Sequence, residues 1–180
     1  MIRVALLCLL PLPALAQDIC PPAPDHRAAI AELYDRIQGA PSEAVGQRLS
    51  GDLWAFWTDA PDDRAQGLLD MGMERRQIGN LTGSYEVLTQ LVEYCPDYAE
   101  GWNQRAFTSY LAGRHGEALT DLDRALALDP THSAALSGKA LTLMWLGRRT
   151  EAQEVLREAV RLNPWMNERH LLETPIELDL

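Results

Sequence analysis

One phrase returns at a fixed interval. TQLVEYCP ends at Pro96, DLDRALALDP at Pro130 and VLREAVRLNP at Pro164, each 34 residues after the last. Each phrase is an apolar run at helical spacing, closed by a proline that cannot extend the helix before it. Gly79, Gly113 and Gly147 repeat at the same period, each just past a helix end, where glycine tolerates a positive φ. The unit is therefore helix, short turn, helix. Such a pair cannot bury its apolar face alone and must stack on copies of itself, so the chain is constrained to an all-α solenoid of antiparallel helix pairs.

Three windows align at this period, 65–98, 99–132 and 133–166. Their eighth positions hold Gly72, Ala106 and Ala140, and their twentieth hold Ser84, Ala118 and Ala152. Small side chains at matched places let two helices cross closely. Large apolar residues align as well: Leu68, Trp102 and Leu136 at the fourth position, and Leu88, Leu122 and Leu156 at the twenty-fourth. Ala125 and Ala159 match Leu91 three residues further on. The pattern W-x₃-A, then A-x₃-L-x₂-A, then proline resembles the tetratricopeptide repeat, most strongly in AEGWNQRAFTSYLAGRHGEALTDLDRALALDP. The chain departs from that pattern at Arg105 and Lys139, where the family has leucine, and at Arg75 and Ser109, where it has an aromatic residue. A long basic side chain can bury its stem there and keep its charge wet.

Outside the windows, residues 25–57 read as one more helix pair that does not fit the 34-residue template. Ile30, Leu33 and Ile37 form one apolar face; Leu49, Leu53, Trp54 and Trp57 form the other, with Ser42 as the N-cap. The expected organisation is a leader at 1–16, an N-terminal helical cap at 17–64 joined through DAPDD, three repeats at 65–164, and a C-terminal capping helix and tail at 165–180. Trp165, Leu171 and Leu172 are expected on the last repeat, and the tail TPIELDL extended or disordered.

The leader MIRVALLCLLPLPALA has one Arg, a short apolar run and small residues at Ala14 and Ala16. It reads as a secretory signal cleaved after Ala16, and it is shorter than the roughly 20 apolar residues of a membrane span. No small-residue lipobox precedes Cys8 or Cys20. With Cys8 removed, Cys20 and Cys95 remain, and an even count in an oxidising compartment reads as a disulfide. Cys20 precedes the start of a first helix and Cys95 ends a second helix, which in an alternating array puts both on one edge. The expected location is periplasmic.

The formal charge is −10, and −11 once Arg3 leaves with the signal, which argues against nucleic acid and anionic membranes as partners. His26, His115, His132 and His170 lack ligand spacing, and Asp62 and Asp63 lack a calcium-loop pattern, so no metal or cofactor is expected. No nucleophile elbow, P-loop, HExxH or dinucleotide loop is present, and the chain reads as non-enzymatic.

The resemblance implies a ligand groove lined by the first helices of the repeats. Carried over, the groove positions are Gln66, Leu69, Met73, Arg76 and Gln77, then Glu100, Asn103, Phe107, Tyr110 and Leu111, then Ala134, Ser137, Leu141, Met144 and Trp145. Aromatic and Met side chains beside an Asn suit an apolar peptide segment. Met144 and Trp145 either line this groove or pack beneath the C-terminal capping helix. Arg76 alone does not make the family's carboxylate clamp for chaperone tails. The implied role is a protein-interaction module or assembly factor, monomeric or weakly self-associating, with a self-associating structural scaffold as the alternative.

Overall fold

The computed structural model describes residues 19–173; the leader and the tail TPIELDL lie outside the described residues. Eight α-helices follow in order: α1 Arg27–Gln38, α2 Glu43–Trp57, α3 Asp63–Gln77, α4 Leu81–Tyr94, α5 Ala99–Leu111, α6 His115–Leu128, α7 Ser133–Trp145 and α8 Arg149–Leu162. A 3₁₀ helix, Asn167–Leu171, follows. The fold is an all-α helical solenoid, with α3–α4, α5–α6 and α7–α8 as its three repeats.

The bends within the repeats are built alike. Gly79, Gly113 and Gly147 have φ of 81°, 73° and 75°. In each bend the glycine N–H donates back to Arg76, Tyr110 or Met144, and the next N–H donates to Arg75, Ser109 or Leu143, at 2.9–3.0 Å. This paired closure is the Schellman motif, which needs the left-handed residue at its centre.

Packing follows the small positions. Ala106, Ala118, Ala140 and Ala152 are fully buried, as are Leu88 and Leu156. A Cβ on Gly72 would stand 2.6 Å from the Leu88 side chain, so the first pair crosses even more closely. The Ser84 hydroxyl is not idle there: it donates to the Gly72 carbonyl at 2.7 Å and lies 3.0 Å from the Thr108 hydroxyl. Arg105 is accommodated by charge as well as by its stem. Its guanidinium makes two bonds to Asp121, at 2.8 and 2.7 Å, between the rings of Trp102 and Tyr85.

Helix starts are satisfied by Asp62, which accepts from Ala65 at 2.8 Å, and Asn80, which accepts from Gly83 at 3.0 Å. The Ala65 N–H and the Tyr94 hydroxyl hold the Asp62 carboxyl below the ordinary carboxylate value. Ser42 occupies the N-cap position of α2, but its side chain makes no capping bond.

α3 touches α5 and α5 touches α7, so the first helices form the inner, concave layer. The N-terminal hairpin does not behave as another layer stacked ahead of α3. Ile30, Leu33, Tyr34, Ile37, Leu53 and Trp57 form a core of their own, and its outer contacts are Ala134, Leu162 and Trp165 of the last repeat. The hairpin thus folds back across the array to its far end. The physical reason is Trp165, whose ring fills the space beside Gly46, where a Cβ would come within 2.1 Å of it, and whose N–H donates to the Ile37 carbonyl at 2.8 Å. The C-terminal segment correspondingly forms a 3₁₀ turn held by Gln153, not a capping α-helix.

Cys20 and Cys95 are disulfide-bonded, with Cα atoms 5.2 Å apart across 75 residues of sequence. The bond ties the segment entering α1 to the end of α4. Three substitutions test this packing by thermal melting. Ala118→Leu or Ala152→Leu should cost about 1–3 kcal/mol by overpacking, and a melting temperature within a degree of wild type would contradict the register. Cys20→Ser should lower stability by roughly 4 kcal/mol in the chain-entropy account of a loop this long.

Candidate functional site

The concave layer carries a buried polar network where the hairpin meets it. Glu100, on the first turn of α5, is 1% exposed. Its carboxylate accepts from the Asn103 amide at 2.9 Å, from the Gln104 amide, and from His132 Nε2 at 2.8 Å. The His132 tautomer follows from its other nitrogen. Nδ1 accepts the Ala135 N–H at 3.3 Å and caps α7, so the proton sits on Nε2 and points at Glu100. The Trp57 ring of α2 lies flat on the His132 ring, centroids 4.1 Å apart at 17°.

Further bonds seat the hairpin around this stack. The Tyr34 hydroxyl donates to the Thr131 carbonyl at 2.7 Å and accepts the Ser133 N–H at 3.2 Å. Burial raises the Tyr34 pKa, which keeps this hydroxyl a donor. The Tyr98 hydroxyl donates to the Trp57 carbonyl, Gln38 to the Leu162 carbonyl, and Ser50 to Asn163 Oδ1.

Between α2 and the inner layer the fit is incomplete. A cleft of about 510 Å³, open to the surface, lies there, walled by Gln47, Ser50, Gly51, Trp54 and Trp57 of α2, by Asn103, Phe107 and Tyr110 of α5, by Ser137 and Leu141 of α7, and at one end by Trp165–Glu168. That size lies within the range of ligand pockets. Beyond it the concave face is open. Phe107 and Leu111 are each 47% exposed and Trp145 is 68% exposed. The Trp145 N–H donates to the Tyr110 hydroxyl at 2.8 Å, and the His115 ring stacks on Trp145 with centroids 5.3 Å apart.

The residues singled out from sequence therefore divide. Phe107, Tyr110 and Leu141 line the cleft, Trp145 bonds Tyr110 from outside it, and Leu111 does not line it. Met144 is half-buried, and the exposed Trp145 is not packed beneath a capping helix. Asn103 is buried and bonded to Glu100. Met73 packs on the core around Leu69 and Leu88. The Arg76 guanidinium is committed to its own chain, bonding the Gln104 carbonyl and side chain and the Thr108 hydroxyl, above the Phe107 ring at 4.7 Å. Sequence reasoning missed Trp54, Gly46 and His132 as parts of this site. The available signal was the hairpin's failure to fit the 34-residue period.

A family model described as tetratricopeptide repeat matches residues 109–164. Over those residues the chain carries tetratricopeptide repeat sequence. A repeat-containing protein of Rhizobium etli is 23% identical over 112 residues, covering 62% of this chain and 55% of the relative. A tetratricopeptide repeat protein 36 homolog of Nematostella vectensis is 32% identical over 72 residues, 40% of each chain. The chain thus spans about half or less of the curated relatives it matches. Among solved structures, the first repeat domain of Spaghetti (RPAP3) bound to the HSP90 peptide SRMEEVD superposes with a TM-score of 0.59 at 19% identity, covering 60% of this chain and 86% of that one. The TPR2B domain of yeast Sti1 in its pHsp70 complex gives 0.56 at 21% identity, covering 59% and 86%.

His132 is the keystone of this tetratricopeptide site, since it caps α7, bonds Glu100 and supports Trp57. His132→Ala should cost about 2–4 kcal/mol, combining a lost cap with an unsatisfied buried carboxylate. A denaturation midpoint equivalent to less than about 1 kcal/mol would contradict the network.

Proposed function

We propose that this protein is a non-enzymatic interaction module of the periplasm that binds a partner's apolar or aromatic segment on its concave face. The observation that carries the reading is the open aromatic surface of Phe107, Tyr110 and Trp145 beside a 510 Å³ cavity on the inner layer. Aromatic anchors next to a pocket are the usual source of binding energy in such interfaces. Solved tetratricopeptide domains of similar fold hold peptides in complex, HSP90 and HSP70 peptides among them. The chemistry of the ligand differs here. With Arg76 bonded within its own chain, a carboxylate-ended tail has no free guanidinium to grip at that position, and uncharged side chains suit the surface better.

Two features support export to the periplasm: the leader at 1–16 with its signal-type pattern, and the Cys20–Cys95 disulfide, which persists in oxidising compartments. Among the described residues no helix is long and apolar enough to cross a membrane.

The test is capture of partners from periplasmic extract by the exported protein and by a Phe107→Ala/Tyr110→Ala variant. Each anchor lost should weaken binding by roughly 1–3 kcal/mol. Equal capture by a variant with an unchanged circular dichroism spectrum would overturn the reading. A dimeric mass in light scattering that disappears in Trp145→Ala would favour the self-associating scaffold instead.

A further inference from the structure

The ligand-facing positions of the inner helices fall into two sets. Phe107, Leu111 and Trp145 are exposed, whereas Glu100, Asn103 and Ser137 are 1%, 6% and 6% exposed. What covers the second set is the chain's own hairpin. We propose that α1–α2 is a built-in, displaceable ligand of the concave face, and that the surface beneath it accepts an amphipathic helix from a partner. The proposal rests on the reading of the concave face given above and extends it to the covered half.

Four observations carry it. The hairpin stands outside the 34-residue register, so it is not a layer of the array. Its seat has the anatomy of an interface: an apolar centre against Ala134, Leu162 and Trp165, ringed by side-chain-to-backbone bonds from Tyr34, Gln38 and Trp165. On one side α2 stands off the inner layer and leaves an open cleft of about 510 Å³ between them. Finally, it is held by two tethers, the short loop 58–62 into α3 and the Cys20–Cys95 disulfide.

The cavity also specifies the partner. The α2 residues turned to it are Leu53, Trp54 and Trp57, which are large and apolar, and Gln47, Ser50 and Gly51, which are small or polar. Gln47, Ser50, Gly51 and Trp54 are spaced i, i+3, i+4 and i+7, one stripe of a helix. A partner helix with large aliphatic or aromatic residues at the places of Gln47, Ser50 and Gly51 would fill the space that α2 leaves open. It must displace a tethered competitor, whose effective concentration is on the order of millimolar for a short linker. Two tethers suppress release more than one, so the disulfide sets how available the covered surface is. Cys20 is half-buried and lines a cleft of about 1060 Å³, which leaves it within reach of a small dithiol.

Two measurements test this. In the unsubstituted protein, hydrogen exchange is compared before and after reduction with dithiothreitol. After reduction the exchange of amides in α1 and α2 should accelerate at least about tenfold more than that of amides in α5–α8, reflecting the lost tether. In the second, a labelled synthetic peptide of residues 25–59 is titrated into oxidised wild type and into a Cys20→Ser/Gly46→Leu chain. The leucine cannot coexist with the Trp165 ring, so the variant's own hairpin is unseated while the peptide, with Gly46, still fits. The peptide should bind the variant about 100-fold more tightly than wild type.

Equal binding to both chains, or none to a variant that keeps its helical spectrum, overturns the proposal. So does a hairpin that exchanges at one common rate with the repeats in both redox states. Should the variant fail to fold, the exchange comparison decides alone. Loss of capture by Phe107→Ala/Tyr110→Ala together with no peptide binding would leave the open-face reading standing and remove this one.

Discussion

The flat contact between Trp57 and His132 joins two cores that the chain could otherwise have kept apart. On one side lies the hairpin core around Leu33, Ile37 and Leu53; on the other, the repeat array, through Glu100 and the start of α7. Because His132 also caps α7 with Nδ1, its ring is held by a bond that does not involve Trp57. Asn103 and Gln104 then complete the carboxylate's shell, so a charge on the inner layer is tolerated out of water. Without that satisfied shell, covering Glu100 with an indole would be strongly unfavourable.

The array itself was legible because its determinants are local. A glycine just after a first helix, a small residue on each partner of a crossing and a closing proline all act within one unit of about 34 residues. Each can be checked against its copies. Arg105 illustrates the limit of that reading. Its departure from the repeat pattern was visible, and its stem is indeed part-buried. The Asp121 carboxylate sixteen residues away, which neutralises it, is a feature of the α5–α6 crossing and not of the repeat pattern.

The hairpin's destination was not legible, and the reason is distance along the chain. Tyr34 bonds residues 97 and 99 positions away, and Trp165 bonds Ile37 across 128 positions. No periodicity reports a contact of that kind. Apolar faces at 30–37 and 49–57 fit stacking on α3 as well as they fit docking on α7, α8 and Trp165. The decision is steric: Gly46 leaves room for one large ring, and the ring that fills it comes from the other end of the molecule. The same docking reassigns Asn103 from a groove-facing amide to a buried donor, while Phe107 and Trp145, further along the same face, keep their exposure.

The concave face as a binding surface, half open and half covered by the chain itself, is the claim on which this account stands. A hydrogen-exchange footprint of the protein bound to a captured partner tests it most directly. The account predicts slowed exchange at the C-terminal turns of α5 and α7, around Phe107–Leu111 and Leu141–Trp145, with the convex helices α4, α6 and α8 unaffected. Protection confined to α4, α6 and α8, with α5 and α7 unchanged, would contradict it.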